Sequence, residues 1–231
     1  MSAATGFYST AEDLVRFAAA HFPGTDTLIG DESKREMQRP YWQVEDVDSY
    51  GLGMDVMTVG DRRVAGHGGS FPGHSTRTGI DAEGKLAISL LTNESSGRAR
   101  DLSRSVWRLI DLALEQEAAE NARALDRYAG RFASPWGFTD IVRLGGTLFT
   151  IGPDAPDPVS SAAKLEVVDE NTLRIEEKAG YGSPGEYVRY SWNADGTLDK
   201  IVFAGRTQHP IGTLEDYLER RREELSQAEG A

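Results

Sequence analysis

Residues 50–94 constrain this chain most, because they read as a core antiparallel sheet. Tyr50-Gly51-Leu52-Gly53-Met54-Asp55-Val56-Met57-Thr58-Val59 and Leu86-Ala87-Ile88-Ser89-Leu90-Leu91 are apolar, strand-like runs. Gly60-Asp61 and Asp81-Ala82-Glu83-Gly84 are turn signals that break the stretch into a meander. Between the apolar runs lies Gly66-His67-Gly68-Gly69-Ser70-Phe71-Pro72-Gly73-His74-Ser75. Glycine weakens a strand, so the glycines around His67 imply a close approach to the backbone there.

Helices are expected on either side of the meander. Ser9 or Thr10 can cap one whose first turn carries Glu12 and Asp13, with Leu14, Phe17 and Ala18 at helical spacing. His21-Phe22-Pro23-Gly24 stops it, and residues 31–38 suggest a second short helix closed by Pro40. Tyr41, Trp42 and Tyr50 pack between helix and sheet, or Tyr41 or Trp42 lines a cleft. After Asn93, Ser95 or Ser96 can cap a helix with the face Leu102, Val106, Leu109, Ile110, Ala113 and Leu114, which would cover the sheet.

From about Leu125 the pattern changes to short strand-like segments. These are residues 141–144, 148–151, 165–168, 173–175, 187–190 and 201–203, with Tyr128-Ala129-Gly130-Arg131-Phe132 opening the series. Gly145-Gly146, Glu170-Asn171 and Asp195-Gly196 mark hairpins, and the regular spacing predicts a small antiparallel barrel. A last helix is expected over residues 214–225. The expected fold class is therefore α+β: an antiparallel sheet with flanking helices over residues 1–124, then an antiparallel β-barrel over 125–231.

Composition excludes several functions. A formal charge of -12 argues against binding a phosphate backbone, which needs clustered Lys and Arg. No cysteine is present, so disulfides and thiolate metal sites are ruled out and the compartment stays open. No apolar run approaches a membrane span, and the N-terminus lacks a signal-peptide pattern. His67 and His74 have no third ligand at a helpful spacing, so neither a metal nor a cofactor is expected.

The meander resembles the C-terminal part of the serine β-lactamase-like hydrolases, which include class C β-lactamases, D,D-peptidases (penicillin-binding proteins) and related esterases. The residues that carry the resemblance are Tyr50-Gly51-Leu52-Gly53, Arg62 to Thr76 around His67-Gly68-Gly69, and Gly84 to Glu94. Residues 4–17 resemble a helix of the same family. The barrel resembles the lipocalin-like domain appended to some of its members.

This resemblance implies acyl transfer through a serine ester, on a β-lactam, a D-alanyl peptide or a small ester. His67 would take the place of the Lys or His of the family's third motif, beside the nucleophile. Gly68 and Gly69 would keep a strand edge bare for substrate. The Ser70 N–H would be one oxyanion donor. Asn93 matches an Asn near the pocket rim, or else braces a strand-to-helix junction. The family's Ser-x-x-Lys and Tyr-x-Asn are absent before His67.

One letter-by-letter match, Ser161-Ala162-Ala163-Lys164, leaves a Pro-bearing loop for a strand, where residues three apart face opposite ways. The expectation is a truncated hydrolase lacking its nucleophile and inactive alone, with an unpaired sheet edge that seeks a second copy or a complementing N-terminal chain. The alternative is a binding or interaction module built on the barrel, with Trp136, Phe138, Phe149 and Tyr187 around a ligand.

Overall fold

The computed structural model describes residues 7–45, 48–116, 122–155, 157–176, 184–214, 217–219 and 222. The chain divides into two compact units, Met1–Arg108 and Leu109–Ala231. Among the described residues no helix is long and apolar enough to cross a membrane.

The first unit opens with helix α1 (Ala11–Ala19), capped by Thr10, whose side chain accepts from the Asp13 N–H. Helix α2 (Asp31–Met37) follows. Lys34 of α2 is fully buried, yet its ammonium donates to the carbonyls of Phe22 and Thr25 and to the Thr25 hydroxyl. These acceptors replace the lost hydration of the cation and tie α2 to the end of α1.

Six strands then form one sheet in sequence order: β1 (Trp42–Glu45), β2 (Asp48–Tyr50), β3 (Asp55–Val59), β4 (Arg62–Phe71), β5 (His74–Asp81) and β6 (Leu86–Thr92). Each pairs antiparallel with the next. Alternation sends Val56, Ala65 and Ile80 to one face, where they pack with Ala18 and Phe22 in a buried cluster. Val64 and Gly79 point to the other face, against Trp107 of helix α3 (Ala99–Leu114).

The expected apolar stripe of α3 is not the buried one. Ala99, Ser103, Ser105 and Trp107 are buried, whereas Leu102 and Leu114 are exposed. Ala99 and Ser103 on this buried face are small, and Trp107, 0% exposed, supplies the volume. Asp48 fixes the helix rotation by accepting from Arg100 and from Arg104 at 2.7 Å. The expected caps are also displaced: Ser95 Oγ instead accepts from the Gly73 N–H, and Ser96 bonds Glu94.

The second unit is a closed barrel of eight antiparallel strands. They are β7 (Gly130–Ser134), β8 (Gly137–Leu144), β9 (Thr147–Ile151), β10 (Ala163–Asp169), β11 (Thr172–Ile175), β12 (Tyr187–Trp192), β13 (Leu198–Phe203) and β14 (Arg206–Pro210). Each neighbours the next in sequence, and β14 closes on β7 through His209–Ala133 and Pro210–Phe132. Closure removes the edges that an open sheet would expose. Phe132, Ile141, Leu148, Leu165, Leu173, Val188, Tyr190 and Ile201 fill the interior.

Tyr190 donates to the Tyr128 carbonyl at 2.9 Å and stacks on Trp192. Burial, and then the nearby Tyr128, push the Tyr190 phenol above its ordinary pKa, so it stays a hydrogen-bond donor. The last expected helix falls largely outside the described residues.

Candidate functional site

His67 sits in the middle of β4, the longest strand of the sheet. Pairing of β3 with β4 begins at Asp55–Gly66, so among the described strands His67 to Phe71 pair with β5 alone. From His67 onward β4 therefore presents an open edge, and His67, Gly68, Gly69 and Ser70 are all exposed.

The two hairpins decide which backbone groups face that edge. Val59 and Arg62 close one two-residue turn, and Phe71 and His74 close another across Pro72-Gly73, with Gly73 at φ +84. Closing pairs of such turns are hydrogen-bonded, and bonded pairs alternate along an antiparallel ladder. Counting from the first hairpin, Arg62, Val64 and Gly66 bond toward β3. Counting from the second, Phe71, Gly69 and His67 bond toward β5. Both counts leave the N–H and C=O of Gly68 and Ser70 directed at the open edge. The Ser70 amide thus points away from β5, with no described strand to pair it, three residues from His67.

The imidazole is held at both ends. His67 Nδ1 lies 2.6 Å from the Gly68 carbonyl, and Nε2 lies 2.8 Å from the Tyr50 hydroxyl. The Tyr50 and His67 rings meet edge to face with centroids 6.0 Å apart. Tyr50 is itself placed by pairing on both sides, with Trp42 of β1 and Asp55 of β3. Across β4 and β5, His67 stands opposite Thr78, and Thr78 Oγ1 lies 2.9 Å from Ser89 Oγ on β6. This polar row lies on the face that α1 covers two rungs earlier, at Ala65–Ile80.

On the opposite face the glycines have another occupant. Arg77 of β5, opposite Gly68, reaches across β4 to hold Asp55 of β3 with both guanidinium ends, one at 2.5 Å. An ideal Cβ on Gly68 would come within 3.8 Å of Arg77 Nη1 and 3.3 Å of the Thr76 carbonyl. At Gly66 it would come within 2.1 Å of the Thr78 carbonyl, and at Gly69 within 2.6 Å of the Thr76 hydroxyl. What approaches the backbone near His67 is the protein's own neighbouring strand and an ion pair.

The remaining sequence candidates are dispersed. Asn93 is exposed, one residue past the end of β6, whose Thr92 pairs with Ser75. His74 lies at the hairpin tip opposite Phe71. Ser161 is bound in its own loop, accepting from the Gly152 N–H at 3.2 Å and donating to the Pro158 carbonyl at 2.9 Å. Lys164 lies 3.1 Å from Glu176.

The four aromatics suggested as a barrel pocket do not converge. Phe138, Phe149 and Tyr187 alternate with the interior residues Ile141, Leu148 and Val188, so they face out of the barrel; Phe149 is buried there, whereas Phe138, Tyr187 and Trp136 are exposed. Sequence reasoning missed Tyr50, Asp55, Arg77, Thr78 and Ser89 as neighbours of His67. Only the strand register, which the turns set, could have revealed them.

The Beta-lactamase family model matches residues 1–114. That match takes in just under half of the chain and covers the six-stranded sheet and its flanking helices. No curated protein matches the chain. Among solved structures, one titled SurE with D-Leu is 20% identical, with 88% of this chain and 50% of that chain covered and a TM-score of 0.38. The octameric penicillin-binding protein homologue from Pyrococcus abyssi is 16% identical, with 87% and 46% covered and a TM-score of 0.42. D-amino acid amidase from Ochrobactrum anthropi SV3, complexed with L-phenylalanine amide, is 25% identical, with 46% and 33% covered and a TM-score of 0.40. The chain spans about half the length of the first two.

Proposed function

We propose that residues 1–114 form the His-Gly-Gly side of a serine β-lactamase-like acyl-transfer site. In this reading His67 stands beside the reacting carbonyl, and the Ser70 N–H is one of two oxyanion donors. An extended substrate lies along Gly68 and Gly69, and Asn93 contacts its rim. The substrate class is a β-lactam, a D-alanyl peptide or a small ester. The observation that supports this most is the open β4 edge, which aims the Gly68 and Ser70 backbone outward beside an anchored imidazole.

The nucleophile is the piece this sequence does not supply. Its 231 residues contain Ser-x-x-Lys once, at Ser161–Lys164, where both side chains are engaged elsewhere. The chain alone therefore gives at most trace turnover, because only part of the oxyanion hole and the binding edge remain. The reaction needs a segment bearing Ser-x-x-Lys from outside these 231 residues. The barrel is lipocalin-like in this reading, a proposal its sequential up-and-down strand order supports.

Intact mass after incubation with a serine-reactive phosphonate, and separately with a penicillin, tests this. Unmodified protein is expected from both. A stoichiometric adduct would overturn the reading, and peptide mapping would then identify the serine.

The sheet edge carries a second expectation. Strand β6, Leu86 to Thr92, carries no charged residue and pairs with β5 alone among the described strands. Unprotected apolar edges recruit further strands. Self-association, or assembly with a complementing chain, is expected at micromolar concentration. A monodisperse monomer in light scattering would remove this part of the proposal.

A further inference from the structure

The contacts of His67 fix more than its position. A carbonyl oxygen can only accept, so the approach of Nδ1 to the Gly68 carbonyl at 2.6 Å places the ring proton on Nδ1. In the neutral ring Nε2 is then an acceptor, and the Tyr50 hydroxyl at 2.8 Å donates to it. Free imidazole side chains favour the opposite tautomer, with the proton on Nε2, so this arrangement has to be imposed by its surroundings.

Tyr50 is suited to impose it. Its backbone is paired on both sides, whereas His67 lies where β4 has no described strand on its β3 side. We propose that Tyr50 is a positioning residue for the acyl-transfer site: by donating to Nε2 it holds the His67 ring against the β4 edge, where the Gly68 carbonyl accepts the Nδ1 proton and the Nδ1–H tautomer is fixed. The link to catalysis rests on the function proposed above; the tautomer itself does not.

The lock has a consequence for substrate. The Gly68 carbonyl faces the open edge and is already engaged by Nδ1–H. The outward groups left for an extended ligand are the Gly68 N–H and the N–H and C=O of Ser70. An edge so arranged offers two donors and one acceptor, which favours a ligand rich in carbonyl or carboxylate oxygens.

Long-range proton–nitrogen NMR of the ¹⁵N-labelled full chain, above the histidine titration range, reads tautomers directly. His67 is expected as the Nδ1–H form in the wild type. In Tyr50→Phe it should shift to a mixture dominated by Nε2–H, with His21, His74 and His209 unchanged. A loss of packing alone would not reverse the two nitrogen signals of one ring. A wild-type His67 in the Nε2–H form, or an unchanged ratio in Tyr50→Phe, would overturn the proposal. Should that variant not fold, the wild type still decides. None of these signals depends on a nucleophile, so a phosphonate adduct would refute the proposed function and leave this inference standing.

Discussion

Replacing Gly66 by alanine is expected to disrupt the sheet at its centre. The added Cβ would lie 2.1 Å from the Thr78 carbonyl oxygen, 2.8 Å from the Gly79 Cα and 3.0 Å from the Thr78 carbonyl carbon. All three atoms are backbone of β5, so no rotamer change relieves the contact. Strand β5 cannot recede either, because it is paired to β6 along its length. Overpacking costs about 1–3 kcal/mol where side chains can yield, and here the cost should be about 3 kcal/mol or more.

Gly68 provides the comparison. Its Cβ would meet nothing closer than 3.3 Å, so Gly68→Ala should be tolerated far better. Urea unfolding, with amide exchange followed in β4 and β5, separates the two. Equal midpoints for the two variants would show that the close approach at Gly66 does not govern this strand pair.

That contrast also indicates what the sequence could reveal. Turn residues and alternating apolar runs announced the meander and most barrel strands, because they act locally. The strand after Ala204-Gly205 was hidden. Both residues adopt positive φ, at +49 and +70, as a tight hairpin needs, but alanine there carries no turn signal. The buried stripe of α3 was misjudged for a different reason. Periodicity favours Leu102 and Leu109, but the buried face is set by Trp107 and by Asp48, which holds Arg100 and Arg104.

At the site, the motif pointed to His67, Gly68, Gly69 and Ser70, and it left the partners of the imidazole unnamed. Tyr50 lies 17 positions earlier in sequence, and a β-strand sequence alone does not say which hydroxyl will meet which ring. The glycines were legible as a close approach, but the neighbour was not. It is the Thr78 carbonyl at Gly66 and the Arg77 guanidinium beneath Gly68.

The Arg77–Asp55 pair leads to the other large effect. The Arg77 side chain is 3% exposed and Asp55 25%, and the pair bridges β5 to β3 across the glycines of β4. Arg77→Met leaves the Asp55 carboxylate without its partner in a mostly buried site. Breaking one side of such a pair costs about 3–5 kcal/mol, and the residual exposure of Asp55 puts this case near the lower end. Arg77→Lys should rescue little, because one ammonium cannot match a two-pronged contact with a carboxylate.

The double variant Asp55→Ala/Arg77→Met should recover part of the loss, since no charge then remains unpaired. A double-mutant cycle read by urea unfolding measures the coupling directly. Simple additivity of the two single substitutions would mean that the pair does not act as a unit. The consequence for the site follows from position. Asp55 pairs with Gly66 at the last rung before the open edge and also stands opposite Tyr50. Losing the clamp should therefore loosen the Tyr50–His67 contact before the barrel is affected, and the His67 ring signals should broaden while those of His209 stay sharp.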